Sequence, residues 1–138
     1  MPALNPYLSF RDNARAAMEF YHQALGGDLE VSTFESFPDM VPDPSERTLV
    51  MHAQLTTPDG LVLMASDTPS VMSYAPPQGI SVSLSGDDAD ALRSAWDALT
   101  EGGTVEMPFE QAPWGGLFGM FTDRFGIHWM INASPAEG

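Results

Sequence analysis

The sequence predicts an α+β fold built from two βαβββ modules. Three observations carry that reading. A helix pattern closed by a glycine pair occurs twice, three strand-like runs follow each copy, and a proline-containing segment separates the copies.

The first run, Leu4 to Phe10, alternates as a half-buried strand and sets Leu4, Pro6, Leu8 and Phe10 on one face. Asp12 or Asn13 is placed to cap the helix that follows. That helix shows a stripe of Ala17, Phe20, Tyr21 and Ala24 at i, i+3, i+4, i+7 spacing. Gly26 and Gly27 end it, since a left-handed C-terminal cap favours a residue without Cβ. Strands are expected at 28–35, 47–56 and 61–66, with Pro58-Asp59-Gly60 as the turn between the last two.

The same grammar returns after residue 79. Ile80, Val82 and Leu84 alternate with Ser81, Ser83 and Ser85. Asp87 or Asp88 caps a second helix with the stripe Leu92, Ala95, Trp96 and Leu99. Gly102 and Gly103 close it, 76 positions after the first pair, as Leu84 follows Leu8. Strands are expected at 104–109, 116–122 and 127–132, with 123–126 as a turn. The expected organisation is one domain over 1–138: a first module at 1–67, a linker at 68–79 and a second module at 80–138. The proline-containing segment 36–46 interrupts a hairpin and is long for one, which suits a lid over a cavity or a plain surface loop.

The chain holds 43% hydrophobic and 17% charged residues, the balance of a globular protein. It has no cysteine, which excludes disulfides, thiolate metal sites and cysteine nucleophiles. The N-terminal stretch lacks the pattern of a signal peptide, and no window approaches the roughly 18 apolar residues of a membrane helix, so the expected compartment is the cytoplasm. Nineteen acidic residues face five basic ones, all arginine, for a formal charge of −14. Such a chain repels phosphate backbones and anionic membranes. Without lysine, Schiff-base chemistry and a P-loop are also excluded. The acidity reflects adaptation to salt or genome composition, or else steering of a cationic ligand.

If the helices cover one face of each sheet, the opposite faces carry Asn5, Tyr7 and Ser9 in one copy and Ser81, Ser83 and Ser85 in the other. Met64 and Met130 fall on the same side from the last strands. Joining these faces is expected to enclose a polar, soft-lined cavity for a small molecule. The alternative is two solvated faces.

The order of elements, with its motifs, resembles the glyoxalase/bleomycin resistance/dioxygenase, or vicinal oxygen chelate, superfamily, and more closely its PhnB-like branch. The residues that carry the likeness are Pro6-Tyr7-Leu8, Phe20-Tyr21, Gly26-Gly27, His52-Ala53 and Ser66-Asp67 in the first half. In the second they are Trp114-Gly115, Phe118-Gly119, Thr122-Asp123, Phe125-Gly126 and Trp129-Met130-Ile131-Asn132. The resemblance implies a pair of half-barrels around a cavity, and commonly a homodimer. It also implies that metal-dependent members hold one divalent ion with a residue from the first and last strand of each module. The matching positions here are Asn5, Met64, Ser81 and Met130. Amide, hydroxyl and thioether groups do not hold zinc, nickel, manganese or iron(II) tightly, so no metal and no other cofactor is expected. Nothing resembles a glycine-rich S-adenosylmethionine loop.

Three histidines remain. His22 is read as a solvated helix residue, whereas His52 shares a strand face with Gln54 and Thr56, and His128 with Met130 and Asn132. His52 and His128 are the candidates for a displaced metal or for acid–base catalysis. Trp114, beside two glycines, is placed to cap a cavity mouth, or to fill a core or dimer interface. Glu30 and Glu106 are read as solvent-facing.

The preferred reading is a metal-free binding protein for a small organic molecule, lined by Asn5, Tyr7, His52, Gln54, Met64, Ser81, Ser83, Trp114, His128 and Met130. The alternatives are a lyase, isomerase or dioxygenase of the same superfamily using His52 and His128, and a catalytically inert dimeric interaction module. No nucleic-acid or membrane partner is expected.

Overall fold

The computed structural model describes residues 3–135, so residues 1, 2 and 136–138, the outer ends of the two expected modules, lie outside it. The chain divides into two compact units, Met1–Pro76 and Pro77–Gly138. Each has one helix and a four-stranded sheet in βαβββ order.

In the first unit the elements are β1 (Tyr7–Phe10), α1 (Ala14–Leu25), β2 (Asp28–Thr33), β3 (Val50–Thr56) and β4 (Val62–Asp67). The sheet order is β1-β4-β3-β2, with β1 parallel to β4 and the other pairs antiparallel. The core holds Phe10, Ala53, Leu55, Leu63 and Ala65 against the helix. The buried face of α1 is Ala14, Ala17, Met18 and Tyr21, one turn earlier than the expected stripe, and Phe20 and Ala24 are half-buried at its margin.

The expected strand from Leu4 is corrected. Pairing starts at Tyr7, because Pro6 has no N–H to extend the ladder, although its carbonyl accepts from Met64 N at 3.1 Å. Leu4 is left fully exposed. Asn13 is the N-cap residue of α1 but its side chain makes no capping bond. That bond comes from Asp67 at the end of β4, whose Oδ1 accepts from Ala14 N at 2.9 Å and whose Oδ2 accepts from Val50 N at 2.9 Å.

The segment between β2 and β3 forms three short 3-10 turns rather than a free loop. Phe34 and Val41 are buried, and the Glu46 carboxylate accepts from both Ser70 N and Ser70 Oγ. It is anchored to its own unit at these points, while residues 35–40 and 42–45 are exposed, as expected of a surface loop.

The second unit comprises β5 (Val82–Gly86), α2 (Ala89–Leu99), β6 (Thr104–Gln111), β7 (Leu117–Thr122) and β8 (His128–Ala133), in sheet order β5-β8-β7-β6. Here α2 buries the expected stripe of Leu92, Ala95, Trp96 and Leu99, and Asp88 caps it by accepting from Ala91 N at 3.1 Å. Trp96 stacks on Phe109 and meets Phe121 edge-on, with centroids 5.4 and 5.0 Å apart. Ile80 does not join the strand and is 72% exposed, because the partner strand β8 begins only at His128. β6 runs two residues beyond expectation and is bulged on both sides of Met107.

Candidate functional site

In each unit the helix covers one sheet face, and strand alternation sends the other set of side chains away from it. On the first unit's open face the register aligns Tyr7, Met64, Gln54 and Glu30 in one row across β1, β4, β3 and β2. His52 sits beside this row, opposite Ser32. The Tyr7 hydroxyl lies 3.3 Å from His52 Nδ1, with ring centroids 5.8 Å apart, and Gln54 Nε2 reaches Thr56 Oγ1 at 3.5 Å. Tyr7 is half exposed, and His52, Gln54 and Met64 are half-buried. Asn5, also half-buried, precedes β1 and stands outside the ladder.

On the second unit's open face a row runs Ser83, Met130, Met120, Met107 from β5 to β6. A second row holds Ser85, Asn132, Phe118 and Glu110. A third holds His128, Thr122 and Thr104. Ser83 Oγ and Ser85 Oγ lie 3.4 Å apart, and Ser81 is exposed just ahead of β5. Trp114 is 67% exposed and meets Phe118 edge-on at 5.5 Å, so a place in the unit's core is excluded.

Two sequence readings are extended here. Glu106 is exposed, as read, but has partners that were not expected: its Oε1 accepts from Thr122 Oγ1 and lies 3.9 Å from His128 Nδ1, which is itself 2.9 Å from Thr122 Oγ1. The β6 bulge leaves Glu106 without a cross-strand partner and frees it to turn toward the hairpin. His22 is not simply solvated, since its Nε2 lies 2.8 Å from the Gly27 carbonyl at the end of α1. Thr122 was missed, yet it was reachable. A hairpin that turns at 123–127 must set residue 122 opposite 128.

The expected metal corners fare differently in register. Met64 lies opposite Tyr7 rather than Asn5, and Met130 opposite Ser83 rather than Ser81. With either choice the first-strand groups are amide or hydroxyl and the last-strand groups thioether, a donor set that does not fit a tightly held hard or borderline divalent ion. Among the described residues no three His, Asp or Glu side chains come together as a metal-binding group.

The family model of the Glyoxalase/Bleomycin resistance protein/Dioxygenase superfamily matches residues 3–131. The chain belongs to that superfamily. Its similarity to protein YjdN of Escherichia coli is 30% identity, covering 94% of this chain and 93% of YjdN. Among solved structures, protein PA1353 from Pseudomonas aeruginosa superposes with a TM-score of 0.83 at 40% identity, covering 99% of this chain and all of that one. A Bacillus cereus structure described as a putative 3-demethylubiquinone-9 3-methyltransferase, PhnB protein, shares the fold at a TM-score of 0.73 and 20% identity, covering 96% and 100% of the two chains. No helix of this superfamily member, among the described residues, is long and apolar enough to cross a membrane.

Proposed function

We propose that the chain is a small-molecule-binding protein of the PhnB-like branch, acting as a cytoplasmic homodimer and without the divalent metal of other superfamily members. One observation carries this reading. Both helix-free sheet faces present hydroxyl, amide, imidazole and thioether groups on ordered strands, and the corner positions lack carboxylate or imidazole donors. In the first unit Asn5, Tyr7, His52, Gln54 and Met64 would contact the ligand. In the second Ser81, Ser83, Trp114, His128 and Met130 would do so. Thioethers and rings supply apolar contact, while amide, hydroxyl and imidazole groups fix orientation. The branch assignment is supported by the likeness to the Bacillus cereus PhnB fold.

The test is elemental analysis of purified protein, thermal melts with and without chelator, and native mass spectrometry of any copurifying small molecule. A ligand of the native state raises Tm, so the expected result is a chelator-insensitive melt and an organic adduct. Stoichiometric zinc, nickel, manganese or iron overturns the metal-free reading.

A second reading, an acid–base lyase or isomerase, is favoured by the hydrogen bonds that orient both open-face histidines: Tyr7 to His52, and Glu106 through Thr122 to His128. Turnover of a captured ligand that is lost on His52→Ala or His128→Ala decides for it.

A further inference from the structure

The Glu106–Thr122–His128 chain has only one self-consistent direction. A carboxylate accepts and never donates, so the single Thr122 hydroxyl proton goes to Glu106 Oε1. Thr122 Oγ1 then has only lone pairs left for His128 Nδ1, which must carry a proton to fill the 2.9 Å contact. In the neutral ring this leaves Nε2 as a bare acceptor. The His128 side chain is 36% exposed.

One residue pair along the strands lies the row of Met130, Met120 and Met107, all on the same face as His128. Successive rows on one face stand about 7 Å apart, the width of one aromatic ring. Thioethers make favourable contacts with aromatic rings and adapt to their outline.

We infer that Glu106 and Thr122 are positioning residues that fix His128 as its Nδ1–H tautomer, and that the second unit's open face takes a planar aromatic molecule bearing a hydroxyl. The methionine row holds the ring, and the hydroxyl donates to His128 Nε2. The ligand class rests on the small-molecule reading above, whereas the tautomer does not.

The tautomer is read on ligand-free protein by long-range proton–nitrogen correlation of labelled histidine at about pH 8, where an ordinary imidazole is neutral. The expected wild-type signal for His128 is Nδ1–H with unprotonated Nε2. Thr122→Val removes the bridge and shifts the population toward Nε2–H, and Thr122→Ser retains Nδ1–H. Glu106→Gln lets the carboxamide donate to Thr122, whose hydroxyl then donates to Nδ1, and so it also favours Nε2–H. Far-UV circular dichroism shows that each variant keeps its sheet. Wild-type protein in the Nε2–H form, or a Thr122→Val protein unchanged from wild type, overturns the relay.

The ligand class is read with phenol and anisole as probes on protein carrying labelled methionine methyl groups. Phenol is expected to bind about three- to tenfold more tightly than anisole, the value of one hydrogen bond, and to move the Met107, Met120 and Met130 signals. The gap closes in Thr122→Val. Equal affinity for the two probes, or no response of those methyls to phenol, overturns the ligand class. An intact Nδ1–H signal with no probe response marks failure of the small-molecule reading, while the wrong tautomer marks failure of the relay itself.

Discussion

The Asp123 carboxylate accepts from the Trp129 indole Nε1 at 2.9 Å across the β7–β8 turn, and both residues are buried. Its other oxygen accepts from Phe125 N at 2.8 Å and Ile127 N at 3.0 Å. One buried carboxylate thus closes the turn and fixes the Trp129 indole in the core of the second unit. Asp123→Ala leaves three donors to find new partners, and the expected loss is about 3–5 kcal/mol in denaturant unfolding. Trp129 emission should change in the native baseline as the indole N–H loses its acceptor. A loss below about 1 kcal/mol would show that water replaces the carboxylate.

Asp67 plays the corresponding part in the first unit, joining the start of α1 to the start of β3 through Ala14 N and Val50 N. Asp67→Ala is expected to cost about 2–4 kcal/mol, because two buried N–H groups lose a charged acceptor. Asn13→Ala, by contrast, should cost well under 1 kcal/mol, since its side chain makes no cap bond. Urea unfolding of the two variants checks the contrast, and equal losses would mean that Asn13 shares the capping.

The difference between those two caps shows where sequence reading stops. The stripe Leu92, Ala95, Trp96, Leu99 and the repeated glycine pair are local periodicities, and the fold class follows from them. Asp67 lies 53 positions from Ala14, so no window along the chain reveals it as the cap of α1. Leu4 and Ile80 look like strand residues because alternation does not register where a partner strand begins. At the candidate site, the shared face of His128 and Met130 was legible from period two alone. Glu106 was not, because a bulge breaks that period where it bends toward Thr122.

Three glycines separate backbone strain from steric exclusion. A Cβ on Gly27, where φ is +92°, would overlap the Thr56 carbonyl oxygen, and one on Gly103 would overlap that of Thr122. Gly60 has φ of +85° but nothing within 4 Å of its would-be Cβ. Gly60→Ala should therefore cost only the left-handed strain, about 1 kcal/mol. Gly27→Ala and Gly103→Ala should each cost about 2–4 kcal/mol, as strands β2 and β6 are pushed off their neighbours. Thermal melts of the three variants give the ranking directly.

Asp43 supplies the pH-dependent case. Its carboxylate accepts from Ser45 Oγ at 2.8 Å and from Ser45 N at 3.0 Å, which hold its pKa below the usual aspartate value of 3.8, the side-chain bond being the larger cause. A depressed native pKa means that this contribution to stability is fully present above the unfolded value and is lost as pH falls through the folded one. Carboxyl NMR titration should find the midpoint lowered, and Ser45→Ala should move it back up toward 3.8. A midpoint unmoved by Ser45→Ala would assign the shift to another neighbour.

The open face should be cheap to alter without loss of fold. Tyr7 is half exposed, and its 3.3 Å contact to His52 is solvent-accessible, so Tyr7→Phe and His52→Ala should each change stability by about 0.5 kcal/mol or less. Asp67→Ala and Gly27→Ala, on the helix side of the same sheet or at its edge, are expected to cost several times more. If the open face binds a small molecule, the ranking inverts for binding: Tyr7→Phe and His52→Ala lose the copurifying adduct in native mass spectrometry, while a mildly destabilising core change such as Leu55→Val retains it. Tyr7→Phe and His52→Ala proteins that keep wild-type adduct levels would move the binding site off this face.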